Sequence, residues 1–114
     1  MEKSKMRELS MQFSVDVLTM SEQIKGHYAI KNQLERSATS VGANIYEANY
    51  AQSKADFIFK LQLALKECHE TAYWLELLQR SALVETEIMK RLTDTCGTIR
   101  RMLIASINTA KSDA

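Results

Sequence analysis

Apolar residues recur along the whole chain at steps of three and four, the spacing that lines one face of an α-helix. In the first stretch, about Ser4 to Lys25, the stripe runs Met6, Leu9, Phe13, Val17, Met20 and Ile24, and Gly26 follows as the expected stop. The second, about Tyr28 to Tyr50, carries Ile30, Leu34, Ala38, Val41, Ile45 and Ala48. The third opens at Ser53, where Ser53-Lys54-Ala55-Asp56 resembles a capping box with Asp56 in place of the usual Glu or Gln. Its stripe is Phe57, Leu61, Ala64, Cys68, Ala72 and Leu75, and it ends near Ser81. The fourth, about Glu85 to Thr109, carries Ile88, Leu92, Cys96, Ile99, Leu103, Ile107 and Ala110, and the last residues from Lys111 to Ala114 are expected to fray. Each predicted helix is roughly 30–40 Å long at about 1.5 Å per residue. The joints around Gly26-His27, Ala51-Gln52 and Ala82-Val84 are short, which forces successive helices to lie antiparallel. The pattern predicts an all-α fold, an antiparallel up-down-up-down four-helix bundle, as a single domain over residues 1–114.

A second apolar stripe changes this picture. On the third segment Phe59, Leu63, Trp74 and Leu77 fall opposite the core stripe, with Lys66 and Glu70 in the same row; on the first, Met11, Val15 and Leu18 fall opposite Leu9 and Phe13. A bundle helix needs one buried stripe, and a helix apolar on two sides is buried on two sides or exposes a sticky patch. Leaving rings such as Phe59 and Trp74 in water is costly, at about 25 cal/mol per Å². These nine residues are therefore the expected interface with a second copy, Lys66 and Glu70 fixing its register; the competing reading is a wide intramolecular core. The second segment has a polar second stripe, Ser37, Ser40, Asn44 and Glu47. Two readings compete for it: an internal hydrogen-bond network, which is the commoner meaning, and a ligand or partner contact.

Composition narrows the class. The chain has 114 residues, 46% hydrophobic and 25% charged, so it resembles an ordinary globular protein rather than a disordered one. Three glycines and no proline leave little material for hairpins. No apolar run approaches the ~20 residues that span a bilayer, and no apolar stretch follows the N-terminal charges as in a signal peptide, so the expected setting is cytoplasmic with no membrane partner. A formal net charge of +1 gives no global pull toward nucleic acid. Locally, the fourth segment carries Lys90, Arg91, Arg100, Arg101 and Lys111; Lys90 and Arg101 share an outward face with Arg100 and Lys111 at its margin. A ring of copies would multiply that patch against a phosphate backbone, while the plainer reading is a solvated helix face.

Candidate chemistry is sparse. His27 and His69 have no partners at metal-ligand spacing, HExxH and paired ExxH motifs are missing, and the isolated glycines form no phosphate loop. Cys68 and Cys96 both lie on core stripes and read as buried thiols rather than a disulfide or a nucleophile. Tyr46, Tyr50, Tyr73 and Trp74 suit either stacking on bases or interface packing. No catalytic residue, metal site, cofactor or small-molecule substrate is expected, and the chain reads as a non-enzyme.

Residues 34–78 carry a resemblance. The run Ser37-Ala-Thr-Ser40-Val-Gly-Ala-Asn44-Ile-Tyr-Glu47-Ala, then Ser53-Lys-Ala-Asp56-Phe57-Ile58, then Ala64-Leu-Lys-Glu67-Cys-His-Glu70-Thr-Ala-Tyr73-Trp74-Leu75, resembles the bacterial four helix bundle protein family, also called the ribosomal intervening-sequence protein family. That family takes its second name from reading frames within inserts in large-subunit ribosomal RNA genes. Its recurring positions correspond to Ser40, Asn44, Glu47, Phe57 and Glu70; the chain departs from the common pattern at Ala48 and at Lys66-Glu67, where many members carry small residues. The resemblance implies a left-handed antiparallel bundle that assembles into a ring, typically a homopentamer, with no catalytic residues. It also implies kinship with accessory variability determinants of diversity-generating retroelements, which bind nucleic acid and a reverse transcriptase. The expected function is a homo-oligomeric interaction or scaffolding protein. The alternative is an accessory protein that contacts RNA, DNA or a reverse transcriptase through Lys90, Arg100, Arg101 and Lys111.

Overall fold

The computed structural model describes residues 2–113, with side chains from Lys5 onward. Four helices account for nearly all of them: α1 (Glu2–Ser21), α2 (Tyr28–Ala48), α3 (Lys54–Ser81) and α4 (Thr86–Ser112). They form an elongated bundle of 48 × 22 × 19 Å. Sequential helices pack side by side and α1 closes against α4, while α1 and α3, and α2 and α4, lie on diagonals across the core. The predicted four-helix bundle is the observed fold.

The stripes read from the sequence face inward. Phe13, Val17, Leu34, Val41, Ile45, Leu61, Leu75, Leu92, Ile99 and Leu103 are buried to within 2%. With the smaller Ala38, Ala64, Cys68 and Cys96 they form one contiguous core. Four hydroxyls share that interior, Ser10, Ser21, Ser37 and Thr71, of which only Ser37 carries a sequence signal, as part of the polar stripe on the second segment. Thr71 donates to Ser37 Oγ at 2.9 Å and Ser37 donates to the Leu34 carbonyl at 3.2 Å, so the α2–α3 seam carries a buried polar tie. Ser10 turns back onto the Arg7 carbonyl at 3.0 Å.

The helix ends differ from expectation in two places. Gly26 does not stop α1, which ends at Ser21. The chain then tightens into turns, with the Gln23 amide on the Met20 carbonyl at 2.9 Å and the Ile24 amide on the Ser21 carbonyl at 3.1 Å. Such i to i−3 bonding keeps Ile24 on the core side, so the apolar spacing runs on past the helix. Lys31 Nζ caps the Ile24 carbonyl at 2.8 Å. Gly26 (φ 77) instead makes the left-handed bend into α2, followed by His27 at φ 53. At the other end α4 continues through Ser112, so Lys111 is helical rather than frayed; Ala114 lies outside the described residues. The capping box at α3 forms in modified geometry. Ser53 Oγ accepts the Asp56 amide at 3.1 Å, and the short Asp56 carboxylate accepts the Gln52 amide at 3.2 Å rather than the Ser53 amide.

Candidate assembly surfaces

The second apolar stripes remain outside the core. On α1, Met11, Val15 and Leu18 are 55%, 46% and 44% exposed. They form one wall of a groove of about 410 Å³ between α1 and α2. The floor is made of small residues, Ser10, Ser14, Gly42 and Ala43, and the α2 wall ends in Tyr46. Arg7 lies over the Tyr46 ring, 4.2 Å from its centroid, and Tyr50 packs on Tyr46 at 5.4 Å. The α1 wall was legible as a misplaced apolar stripe. The α2 side was not, because small residues at Gly42 and Ala43 read as tight packing and nothing in the sequence joins Arg7 to Tyr46.

On α3 the stripe is a ridge. Phe59 is 53% exposed; Leu63, Trp74 and Leu77 are half-buried. Tyr73 extends it, with its ring edge-on to Trp74 at 5.0 Å. From Phe59 to Leu77 the ridge runs about 27 Å along the helix at 1.5 Å per residue. Trp74 also packs its inner edge against the core, so the wide-core reading holds for part of that ring and not for Phe59. The groove lies at the α1–α2 seam and the ridge on the outer face of α3 beside α2, where Arg36 reaches it, so the two surfaces occupy different faces of the bundle on either side of α2.

Of the two polar residues of the ridge, Glu70 is already engaged within the bundle. Arg36 on α2 forks onto Glu67 at 3.2 Å and onto Glu70, and the Trp74 indole donates to Glu70 at 3.0 Å. The Arg36 bond, then the indole bond, hold the Glu70 carboxyl below the usual carboxylate range. Glu70 thus orients Trp74 on the ridge, while Lys66 stays exposed beside it. The polar stripe on α2 is likewise internal. Asn44 donates to the Ser40 carbonyl and hydroxyl at 2.9 and 3.2 Å, and Ser37 meets Thr71. Glu47 accepts Lys60 of α3 at 2.9 Å, which raises the Lys60 ammonium pKa, while also bordering the groove. Of the remaining family-type positions, Phe57 is half-buried against the core.

The four basic residues read as a possible nucleic-acid contact are spread along α4, which also carries Arg91. Lys90 stands 3.9 Å from Asp94, Arg101 donates to the Thr98 hydroxyl at 3.1 Å, and Arg100 is half-buried. Lys90 and Lys111 are separated by about 32 Å along the helix. Among the described residues no three His, Cys, Asp or Glu side chains converge on a metal-sized site, and no described helix is long and apolar enough to cross a membrane.

The described residues thus form a four-helix bundle with exposed apolar surfaces on α1 and α3. The model of the 23S rRNA-intervening sequence protein family matches residues 2–105, and the chain belongs to that family. Among solved structures it is similar to a crystal structure from Bacteroides thetaiotaomicron of a protein with unknown function from the S23 ribosomal protein family. The two share 38% identity with a TM-score of 0.87, covering 95% of this chain and 99% of that one. No curated protein matches.

Proposed function

We propose that this protein is a non-enzymatic assembly protein, and that copies join head to tail with the α3 ridge of one seated in the α1–α2 groove of the next. The observation that carries this reading is the pair of exposed apolar surfaces on two different faces of one bundle, Met11, Val15 and Leu18 on α1 and Phe59 on α3. A heterologous interface covers both, one per neighbour, and closes into a ring where the rotation between copies allows. The shapes support the same pairing, since the groove is concave with a small-residue floor and the ridge presents rings and branched chains. The ring implied by the family resemblance has this type of contact.

Two broken halves test the idea. Met11→Asp with Val15→Asp spoils the groove and leaves the ridge; Phe59→Asp with Leu63→Asp spoils the ridge and leaves the groove. Each variant alone should run as a folded monomer. Mixed in equal amounts they should give a heterodimer, one intact junction between two dead ends. Variants that keep the parental mass, or a mixture that yields no heterodimer from two folded monomers, would refute the head-to-tail arrangement.

A further inference from the structure

The α3–α4 seam holds the two cysteines of the chain against each other. Both are buried, with sulfurs 3.6 Å apart. The contact is reciprocal: Cys68 Sγ lies 3.4 Å from the Cys96 carbonyl oxygen, and Cys96 Sγ 3.6 Å from that of Cys68. Each thiol reaches to the other's backbone, so both side chains point into one seam from facing helices. A disulfide needs sulfurs about 2.05 Å apart, which leaves about 1.5 Å to close. Two residues 28 apart in sequence and in van der Waals contact are far nearer that geometry than two thiols placed independently in a core.

The surroundings distinguish the two sulfurs. The hydrogen bond from Cys96, together with the charge of Arg100, lowers the Cys68 thiol pKa against the opposing effect of burial. The Cys96 thiol, through its bond to Cys68 and its burial, is pushed up and keeps its proton. The geometry treats the two sulfurs alike, and the lowered Cys68 thiol is taken as the one that attacks first.

We propose that Cys68 and Cys96 form a peroxide-sensitive pair that closes to a reversible disulfide within one protomer, stapling α3 to α4. The ionised Cys68 sulfur attacks one oxygen of hydrogen peroxide. An S–O bond forms, the O–O bond breaks, and the departing hydroxide takes the proton Cys68 released. Cys96 sulfur then attacks the Cys68 sulfenic sulfur; the S–S bond forms, the S–O bond breaks, and hydroxide leaves as water with the Cys96 proton. Two thiols and one peroxide give one disulfide and two waters, with two electrons passing from sulfur to oxygen. The staple stands apart from the assembly surfaces, which lie on the outward faces of α1 and α3.

The test treats the full-length protein with hydrogen peroxide, then blocks remaining thiols under denaturing conditions and measures intact mass. The expected product is lighter by about 2 Da, takes up no blocking reagent, yields joined Cys68 and Cys96 peptides, and returns to the dithiol with dithiothreitol. Its unfolding temperature should rise by roughly 5–15 °C over the reduced form. In Cys96→Ala, which keeps an apolar side chain in the seam, oxidation should stop at a Cys68 sulfenic acid trapped by dimedone, with no rise in unfolding temperature. The proposal is overturned if both wild-type thiols stay blockable, if Cys68 gains oxygen while Cys96 stays free, or if the disulfide links two chains.

Discussion

Ala82 closes α3 at φ 55, a left-handed conformation that glycine adopts without cost and other residues adopt at about 1 kcal/mol. Gly97 lies inside α4, where an alanine methyl would meet the guanidinium groups of Arg101 at 3.4 Å and Arg100 at 4.0 Å, the far ends of two flexible side chains at ordinary contact distance. Each position therefore suits the other's residue. Ala82→Gly should stabilise the protein by about 1 kcal/mol, and Gly97→Ala by about 0.5–1 kcal/mol through helix propensity; urea unfolding of each against wild type checks both. Sequence reading found most core positions, because apolar spacing reports burial directly, but it missed Leu78 and placed Ile88 where Met89 is the buried residue. It did not find Thr71, whose buried hydroxyl depends on a partner at Ser37 far away in the chain. Thr71→Val keeps the shape and removes that tie, so a loss of about 1 kcal/mol is expected in the same unfolding assay.

At the scale of elements, α3 has two faces with separate duties. Its inner face holds Leu61, Leu75 and Leu78, each 1% exposed or less, and Leu75→Ala should cost 2–5 kcal/mol of protomer stability. Its outer face holds the ridge, so Phe59→Asp should lower the assembled mass while leaving helix content and monomer unfolding nearly unchanged; circular dichroism and urea titration separate the two effects. Between the faces, Arg36 joins α2 to α3 through Glu67 and Glu70. The Glu70 carboxyl is held below its ordinary value, so its contribution is fully present above about pH 4.3 and is lost as pH falls through the lower folded value. The pair is partly exposed, which keeps that contribution below about 1 kcal/mol. Glu70→Gln should flatten the acid limb of the stability profile and loosen Trp74, seen as a shift in its fluorescence. Helix boundaries were the least legible part at this scale. The apolar period passes through Ile24 whether the backbone is helical or turning, so Gly26 looked like a helix stop when it serves the next bend.

For the molecule as a whole, the order and packing of the four helices followed from short joints and one-sided stripes, which leave few other arrangements. The two outer surfaces were legible only as excess apolar character. Their shapes, a groove on one face and a ridge on another, depend on which helices become neighbours, and no local pattern encodes that. In the head-to-tail account the bundle is one unit of a larger object, and the exposed rings of α3 are the inside of a junction. Sedimentation velocity of the wild-type protein at micromolar concentration tests this most directly. The account predicts one species at several times the 13.0 kDa protomer mass, stable on dilution within that range. A single species at the protomer mass, unchanged as concentration rises, would contradict it.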